Sequence, residues 1–271
     1  ATAKNDEFDL PENTLFEETD TRKVYFLQDN TWKPLGTLWS GLKYYYTFGD
    51  ASSTQLNTAS ALGSSDAVAN SDVTLYGTAS HSGTGHISGA NAISFPTYDL
   101  DGAFHATSTN SVSDYDFMVK NNALWTVCFW AKSDNDASVD FWGLNANGAG
   151  NDIMFRFNNP ANQFSIWFAG NEVTDLATNS PISGTETDWH FYVVAWDEAN
   201  GIAYLQVDGN TMRTKTGITT SNTSSPPAPI RWGDVSGNEM EGYIQLFSVW
   251  NRILSADEIT ELWNSGAGRE I

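Results

Sequence analysis

The side chains best suited to acid–base chemistry in this 271-residue chain are the Glu239–Glu241 pair and four histidines. A two-residue spacing places both glutamates on one face of a strand, as a glycosidase needs for paired carboxylates. The pair follows a Gly-Asn turn, so we expect both residues in the entry loop of a strand. The chain also lacks the longer Glu-x-Asp-x-x-Glu run that would point three acids into one cleft.

The histidines do not form a recognisable catalytic or metal-binding motif. His81 and His86 are separated by a glycine-containing loop, and their spacing is poor for one strand face. The other two histidines are His105 and His190. No nucleophile elbow, P-loop or dinucleotide fingerprint is present. The sequence therefore predicts a protein that is not an enzyme.

The composition restricts the class of partner. Thirteen Lys and Arg residues stand against 33 Asp and Glu, which gives a formal charge of −20. This charge repels phosphate backbones and anionic membranes, so we expect neither as a partner. Solubility is one reason for such acidity, and binding of divalent cations is the alternative. The single cysteine, Cys128, excludes an intrachain disulfide and lies in an apolar run, where we expect it to be buried.

Short apolar or alternating runs separated by Gly, Asn, Asp and Ser predict an all-β protein from Trp39 onward. Because no helical periodicity is interleaved with them, a two-sheet sandwich or jelly roll is favoured over βαβ units. Residues 1–38 are richer in charge, with KVYFLQ and TWKPL flanking an Asp-Asn turn as a short hairpin. We therefore divide the chain into an N-terminal attachment or oligomerisation segment, 1–38, and a jelly-roll domain, 39–271.

One amphipathic helix is predicted close to the end of the chain. Ser255 and Glu258 have the spacing of a capping box, and Ile259, Leu262 and Trp263 form an apolar stripe. A helix of about ten residues is not stable alone in water, so it must pack on an apolar surface.

Five segments, in order, resemble the laminin-G-like jelly rolls of the concanavalin A-like superfamily. The resemblance covers about residues 41–267, and His190 falls at a position that is usually structural in that family. It implies an all-β fold of two antiparallel sheets, with the closing helix against one side. The five segments are GLKYYYTFGD, GHISGANAISFP, NALWTVCFWAKSD, TDWHFYVVAWDEANGIAYLQVDGN and EGYIQLFSVWNRILSADEITELWNSG.

Two departures from the family pattern concern acidic residues. Gln245 and Leu246 stand where the family often has an Asp pair, and a longer Ser/Ala/Asp segment replaces the turn after the first strand. Calcium sites in the family draw carboxylates from such turns, which makes Asp50, Asp66 and Asp72 candidate calcium ligands. The alternative is that they are solvated or turn-forming carboxylates.

Two tryptophans beside polar loops are candidates for carbohydrate binding, because an exposed indole face stacks on a sugar ring while polar groups fix its hydroxyls. The resulting set is Trp142, Asn145, Trp232, Asp234 and Asn238. Burial of both indoles in the core is the alternative.

The segment LPENTLFEETDTRKVYFLQDNTWKPL resembles a short module of structural and adhesion proteins of tailed phages. With a jelly roll behind it, this resemblance implies a non-enzymatic virion surface protein, such as a capsid decoration, fibre or spike, which serves structural stabilisation, host-surface glycan adhesion or both. Its partners would be other virion proteins or copies of itself through residues 1–38, with a trimer favoured, and cell-surface glycans. The alternative is a carbohydrate-binding module of a secreted or cell-surface bacterial protein, located outside the cell.

Overall fold

The computed structural model describes residues 15–18, 23–28, 31–35, 38, 40–49, 54–59, 64, 66–68, 71–87, 91–96, 105–134, 138–144, 153–158, 163–168, 171–173, 188–220, 222–235 and 239–271. Nineteen strands and two α-helices occur in these residues. In chain order they are β1 (Leu15–Glu18), β2 (Lys23–Gln28), β3 (Thr31–Leu35), β4 (Leu42–Tyr46), β5 (Thr54–Gln55), β6 (Val73–Leu75), β7 (Ser80–Thr84), β8 (Asn91–Phe95), β9 (Ala106–Ser108), α1 (Asp116–Val119), β10 (Leu124–Ser133), β11 (Val139–Gly143), β12 (Ile153–Asn158), β13 (Gln163–Phe168), β14 (Asn171–Val173), β15 (His190–Asp197), β16 (Ile202–Val207), β17 (Arg213–Lys215), β18 (Arg231–Trp232), β19 (Gly242–Trp250) and α2 (Ala256–Trp263).

The strands form three antiparallel sheets. The N-terminal sheet has the order β1-β2-β3. Sheet I has the order β17-β16-β15-β10-β19-β8-β7, and β4 pairs with β19 beyond the end of β8. Sheet II has the order β14-β13-β12-β11-β18-β9-β6-β5. Sheets I and II pack face to face, which confirms the predicted all-β sandwich.

The core between sheets I and II is built from aromatic and branched residues that alternate along the strands. In β16 the pattern is strict, with Ala203, Leu205 and Val207 buried and the residues between them partly exposed. Phe129 of sheet I lies at the centre, with its ring 5.1 Å from Tyr192 and 5.9 Å from Phe155 of sheet II. Each fully buried side chain of this size stabilises the fold by about 1.5–3 kcal/mol.

A second apolar layer lies on the outer face of sheet I, where α2 covers it. Ile259 and Leu262 are buried in this layer, and Trp263 stacks on Trp130 of β10 at 5.3 Å. The predicted capping box is present: the Ser255 Oγ accepts from the Glu258 amide at 3.3 Å, and the Glu258 carboxylate accepts from the Ser255 amide at 2.8 Å. These contacts confirm the predicted docked helix.

The chain enters the jelly roll at a buried residue. Leu38 is 2% exposed, and its carbonyl accepts a hydrogen bond of 2.6 Å from the Trp250 indole. Nearby, the Arg252 Nε donates to the Ser40 carbonyl at 2.6 Å, and the same guanidinium binds the Glu258 carboxylate at 2.7 and 2.8 Å. These bonds tie the start of β4 to the cap of α2.

The N-terminal segment contains the predicted hairpin. Strands β2 and β3 pair from Val24↔Leu35 to Gln28↔Thr31, and β1 adds a third strand. The division into a segment 1–38 and a domain 39–271 stays a prediction.

The described chain also contains a short helix that sequence patterning missed. A 3₁₀ turn, Val112–Tyr115, leads into α1, and Ser111 with Asp114 forms a capping box at its start. Tyr115 from this turn is buried and stacks on Tyr44 at 5.1 Å. No helix among the described residues is long and apolar enough to cross a membrane.

Candidate functional site

The structure brings the two predicted sugar-binding tryptophans together but buries them. Trp142 of β11 and Trp232 of β18 are directly paired, and both are 0% exposed. Each indole packs edge-on against Phe247, at 5.8 and 5.1 Å. The prediction that they form an exposed sugar platform is therefore wrong for this structure, because neither indole face is accessible to a ligand.

The polar members of that set are only partly described. Asp234 is 7% exposed and lies 3.6 Å from Arg231 Nη2. Asn145 and Asn238 lie outside the described residues, so their part in a site stays a prediction.

Two of the three predicted calcium ligands make local contacts within the protein. The Asp66 carboxylate accepts from the Gly41 amide at 3.1 Å and lies 3.8 Å from the Lys43 ammonium. The Asp72 carboxylate accepts from the Asn57 amide at 3.5 Å. Asp50 lies outside the described residues. No group of three or more His, Cys, Asp or Glu side chains suited to a metal occurs in the described part of the chain, and calcium binding stays a prediction.

The glutamate pair is placed as the sequence predicts. Glu239 and Glu241 precede β19, which begins at Gly242. Glu239 is buried, whereas Glu241 is partly exposed and uses its carbonyl to accept from the Asp134 amide at 2.7 Å. The backbone of this segment therefore joins the end of β10 to the start of β19.

The histidines serve different structural contacts. His190 Nδ1 lies 2.7 Å from the Asp208 carboxylate, which also accepts from the Phe191 amide at 2.9 Å. This arrangement fixes the Asp208-Gly209 turn to the start of β15, where Asp208 adopts a left-handed φ of 54°. His86 stacks on Trp130, with ring centroids 3.8 Å apart.

The most exposed aromatic side chain that stacks on another ring in the described residues is Tyr76, which follows the end of β6 beside the start of β9. Tyr76 is 47% exposed, and its ring stacks on His105 at 4.7 Å with an interplanar angle of 18°. The Tyr76 amide donates to the His105 carbonyl at 2.8 Å, which continues the β6–β9 ladder by one pair. The imidazole therefore supports one face of the phenol ring, and the other side faces solvent.

Tyr76 lies one residue beyond the row that contains the predicted tryptophans. One residue from each of four strands of sheet II is paired with the next in this row, in the order Leu75, Ala106, Trp232 and Trp142. Val73 and Leu75 face the core, so strict alternation places Tyr76 on the opposite, outer face. This alternation is the sequence signal that identifies the exposed ring, and sequence analysis missed it.

An ion pair lies on the same sheet, two strands away from the exposed ring. Arg231 of β18 is directly opposite Thr107 of β9, two residues from His105 and on the same outer face. Its guanidinium and the Asp234 carboxylate are 19% and 10% exposed, so both keep some contact with solvent. We call Tyr76 and His105, together with the Arg231–Asp234 pair two strands away on the same sheet, the Tyr76 rim. It contains an exposed aromatic ring, a guanidinium that can donate hydrogen bonds and a carboxylate that can accept them.

Two antiparallel sheets packed around an aromatic core define the chain as a jelly-roll sandwich. A profile of the concanavalin A-like lectin/glucanases superfamily matches residues 101–260. The chain therefore belongs to this superfamily, which confirms the resemblance noted in its sequence. A search of curated proteins finds no significant sequence match.

Solved structures with the same fold are distant in sequence. The binding domain of botulinum neurotoxin DC in complex with SialylT is 15% identical, with a TM-score of 0.58 over 83% of this chain and 51% of that one. The same neurotoxin domain in complex with rat synaptotagmin II is 14% identical, with a TM-score of 0.59 and coverages of 83% and 51%. A Trypanosoma rangeli sialidase in complex with the inhibitor DANA is 12% identical, with a TM-score of 0.58 and coverages of 94% and 44%. The chain thus spans about half the length of these structures or less.

Proposed function

We propose that the chain is a non-enzymatic adhesion protein on the surface of a tailed-phage virion, and that its Tyr76 rim binds host-surface glycans. The observation that carries the glycan part is the exposed Tyr76 ring, which stacks on His105, with the Arg231–Asp234 pair two strands away on the same sheet. A pyranose ring presents C–H groups to an aromatic face and hydroxyls to ionic neighbours, so the rim suits a sugar.

The similar solved structures support a binding role for this type of sandwich. The binding domain of botulinum neurotoxin DC is in complex with SialylT in one structure and with rat synaptotagmin II in another. Glycan and protein partners are therefore both represented among structures of this fold. The charge of −20 on the present chain favours neutral over strongly anionic ligands at low ionic strength.

The virion part of the proposal is supported by the N-terminal segment. Its sequence resembles a phage structural module, and β1–β3 form a sheet of their own within the described residues. An edge strand of a sheet can pair with a strand of a further chain, which suits attachment or self-association. We expect a homo-oligomer, with a trimer favoured, at the surface of the virion.

A carbohydrate-binding module of a secreted or cell-surface bacterial protein is the second candidate, because the Tyr76 rim serves either context. Size-exclusion chromatography with light scattering of the full chain separates the two. The virion proposal predicts a mass about three times that of the 29.7 kDa chain. A monomer at micromolar concentration contradicts the oligomeric virion protein and favours the bacterial module.

The glycan proposal is tested on a glycan array with and without calcium, using the wild type, Tyr76→Ala and Leu56→Ala. Leu56 is a matched control because it is 49% exposed and lies beyond the other end of the β5–β6 pair from Tyr76. We expect Tyr76→Ala to lose glycan signals that Leu56→Ala retains, with a loss of about tenfold in apparent affinity. Identical arrays for the three proteins would overturn the assignment of the Tyr76 rim. Calcium-dependent signals would support the Asp50, Asp66 and Asp72 prediction.

A further inference from the structure

A second aromatic surface lies on the outer face of sheet I, away from the Tyr76 rim. Strands β15, β10 and β19 are adjacent there, with the pairs Ala131↔His190 and Lys132↔Tyr243. Ala131 belongs to the core between the sheets, so Lys132 and its partner Tyr243 face outward. Trp189 directly precedes His190 and is therefore level with Lys132.

The two rings converge over the lysine between them. Neighbouring strands lie about 4.8 Å apart, so backbones separated by one strand are about 10 Å apart. The Trp189 and Tyr243 ring centroids are only 6.1 Å apart, at an interplanar angle of 49°. The Lys132 Nζ lies 4.6 Å from the Tyr243 centroid and 3.1 Å from the Asp134 carboxylate. All three side chains are partly exposed, and we call Trp189, Lys132 and Tyr243 the Trp189 platform.

The backbone holds the platform in place from one side. Gly242, at the start of β19, has a φ of 148°, and a Cβ there would lie 2.1 Å from the Lys132 carbonyl oxygen. Only glycine allows this close approach of β19 to β10, and the approach fixes the position of Tyr243.

A stack of rings supports the platform from the other side. His86 lies 6.1 Å from Trp189 and stacks on Trp130, which in turn stacks on Trp263 of α2. His86 Nε2 is also 2.7 Å from the Gly266 carbonyl oxygen. Because these contacts already order the rings, a ligand would lose little affinity to their immobilisation.

The local charges indicate which ligand suits the platform. Lys132 is paired with Asp134, while the exposed Asp188 and the partly exposed Glu241 add further negative charge at this end of the strands. The surroundings are thus net negative, which disfavours sialic or uronic acids. Ionic groups beside two aromatic faces supply the hydrogen-bond partners that hydroxyls need.

We propose that the Trp189 platform is a second carbohydrate site, which binds neutral pyranose oligosaccharides across Trp189 and Tyr243. It shares only the ligand class with the Tyr76 rim and lies on the opposite sheet.

The test is a glycan array that carries neutral and acidic oligosaccharides, probed with the full-length wild type, Trp189→Ala, Tyr243→Ala and Tyr76→Ala. We expect Trp189→Ala and Tyr243→Ala to lose the same neutral signals, by about tenfold in apparent affinity, whereas Tyr76→Ala retains them. Acidic glycans should be unaffected by the two platform variants.

Melting temperatures show whether each variant is folded. Because two different substitutions are made on the same surface, misfolding of one variant does not decide the result. The proposal is overturned if both folded platform variants give the wild-type array, or if they lose acidic signals instead. A platform variant that lowers the mass of the oligomer in light scattering would also overturn it, because the surface would then be an interface between copies. If only Tyr76→Ala loses the neutral-glycan signals, the result supports the Tyr76 rim as a glycan site and refutes the Trp189 platform.

Discussion

Truncation of Leu262 in α2 tests whether the closing helix contributes to the stability of the jelly roll. Leu262 is 4% exposed and, with Trp130 and Phe191 of sheet I, lines a cavity of about 10 Å³. Truncation of its side chain enlarges this space, and surrounding residues typically relax only partially into such a space. Leu262→Ala should therefore lower the free energy of unfolding by about 2–5 kcal/mol, which combines lost transfer energy with an enlarged cavity.

For a domain of this size, 1 kcal/mol lowers the melting temperature by about 2–4 °C, so a loss near 3 kcal/mol corresponds to about 6–12 °C. Calorimetry or circular dichroism measures this shift. Thr260→Ala is the matched control, because Thr260 is on the exposed face of the same helix and should change stability by less than about 0.5 kcal/mol. Equal melting temperatures for Leu262→Ala and Thr260→Ala would refute the reasoning and show that α2 does not stabilise the sandwich.

Two further substitutions and one labelling experiment probe buried or partly buried groups. Trp250→Phe removes the indole donor to the buried Leu38 carbonyl and should cost about 1–3 kcal/mol in urea unfolding; an unchanged midpoint would mean that this bond is not needed. Burial raises the pKa of Glu261 although Arg269 lies beside it, so its stabilising contribution is present at low pH and is lost as pH rises through its folded pKa. Glu261→Gln should therefore melt above the wild type near pH 7, with a gap that closes towards about pH 4, and a wild type that melts higher near pH 7 would contradict this. Burial also raises the pKa of the Cys128 thiol, so a thiol reagent should label it only upon unfolding; rapid labelling of the native protein would show an open layer under α2.

The strands and the closing helix were predictable because their signals are local. Alternation in the segment that becomes β16, and the Ser255–Glu258 spacing before α2, depend only on neighbouring residues and survive folding unchanged. The same logic identifies the missed helix α1, since Ser111 and Asp114 have capping-box spacing. The sequence analysis did not use that signal.

The burial of Trp142 was not predictable because a bulge changes the direction of side chains. The β11–β12 register shifts between Asp140 and Trp142, so Phe141 and Trp142 both face the core. Alternation along a sequence cannot reveal such a shift. Tyr76 was missed because a tyrosine before a glycine turn is as often buried at the edge of a core as it is exposed to solvent.

Gln245 shows why a departure from the family pattern need not mean a lost function. Its amide is fully buried, accepts from the Ile87 amide at 3.2 Å and donates to the Asn91 carbonyl at 2.9 Å. A carboxylate can accept but cannot donate, so an acid at this position would lose one of the two bonds. The glutamine thus fits the chain segment that flanks β8.

The antiparallel pairing of β4 with β19 determines how the domain would respond to a pulling force. Leu42 lies opposite Trp250, and Tyr243 is near the far end of the same strand, β19. A load that enters at Leu38 and leaves through a ligand on the Trp189 platform would pull the two strands in opposite directions along their axes. Their hydrogen bonds would then resist together in shear and would not open one after another.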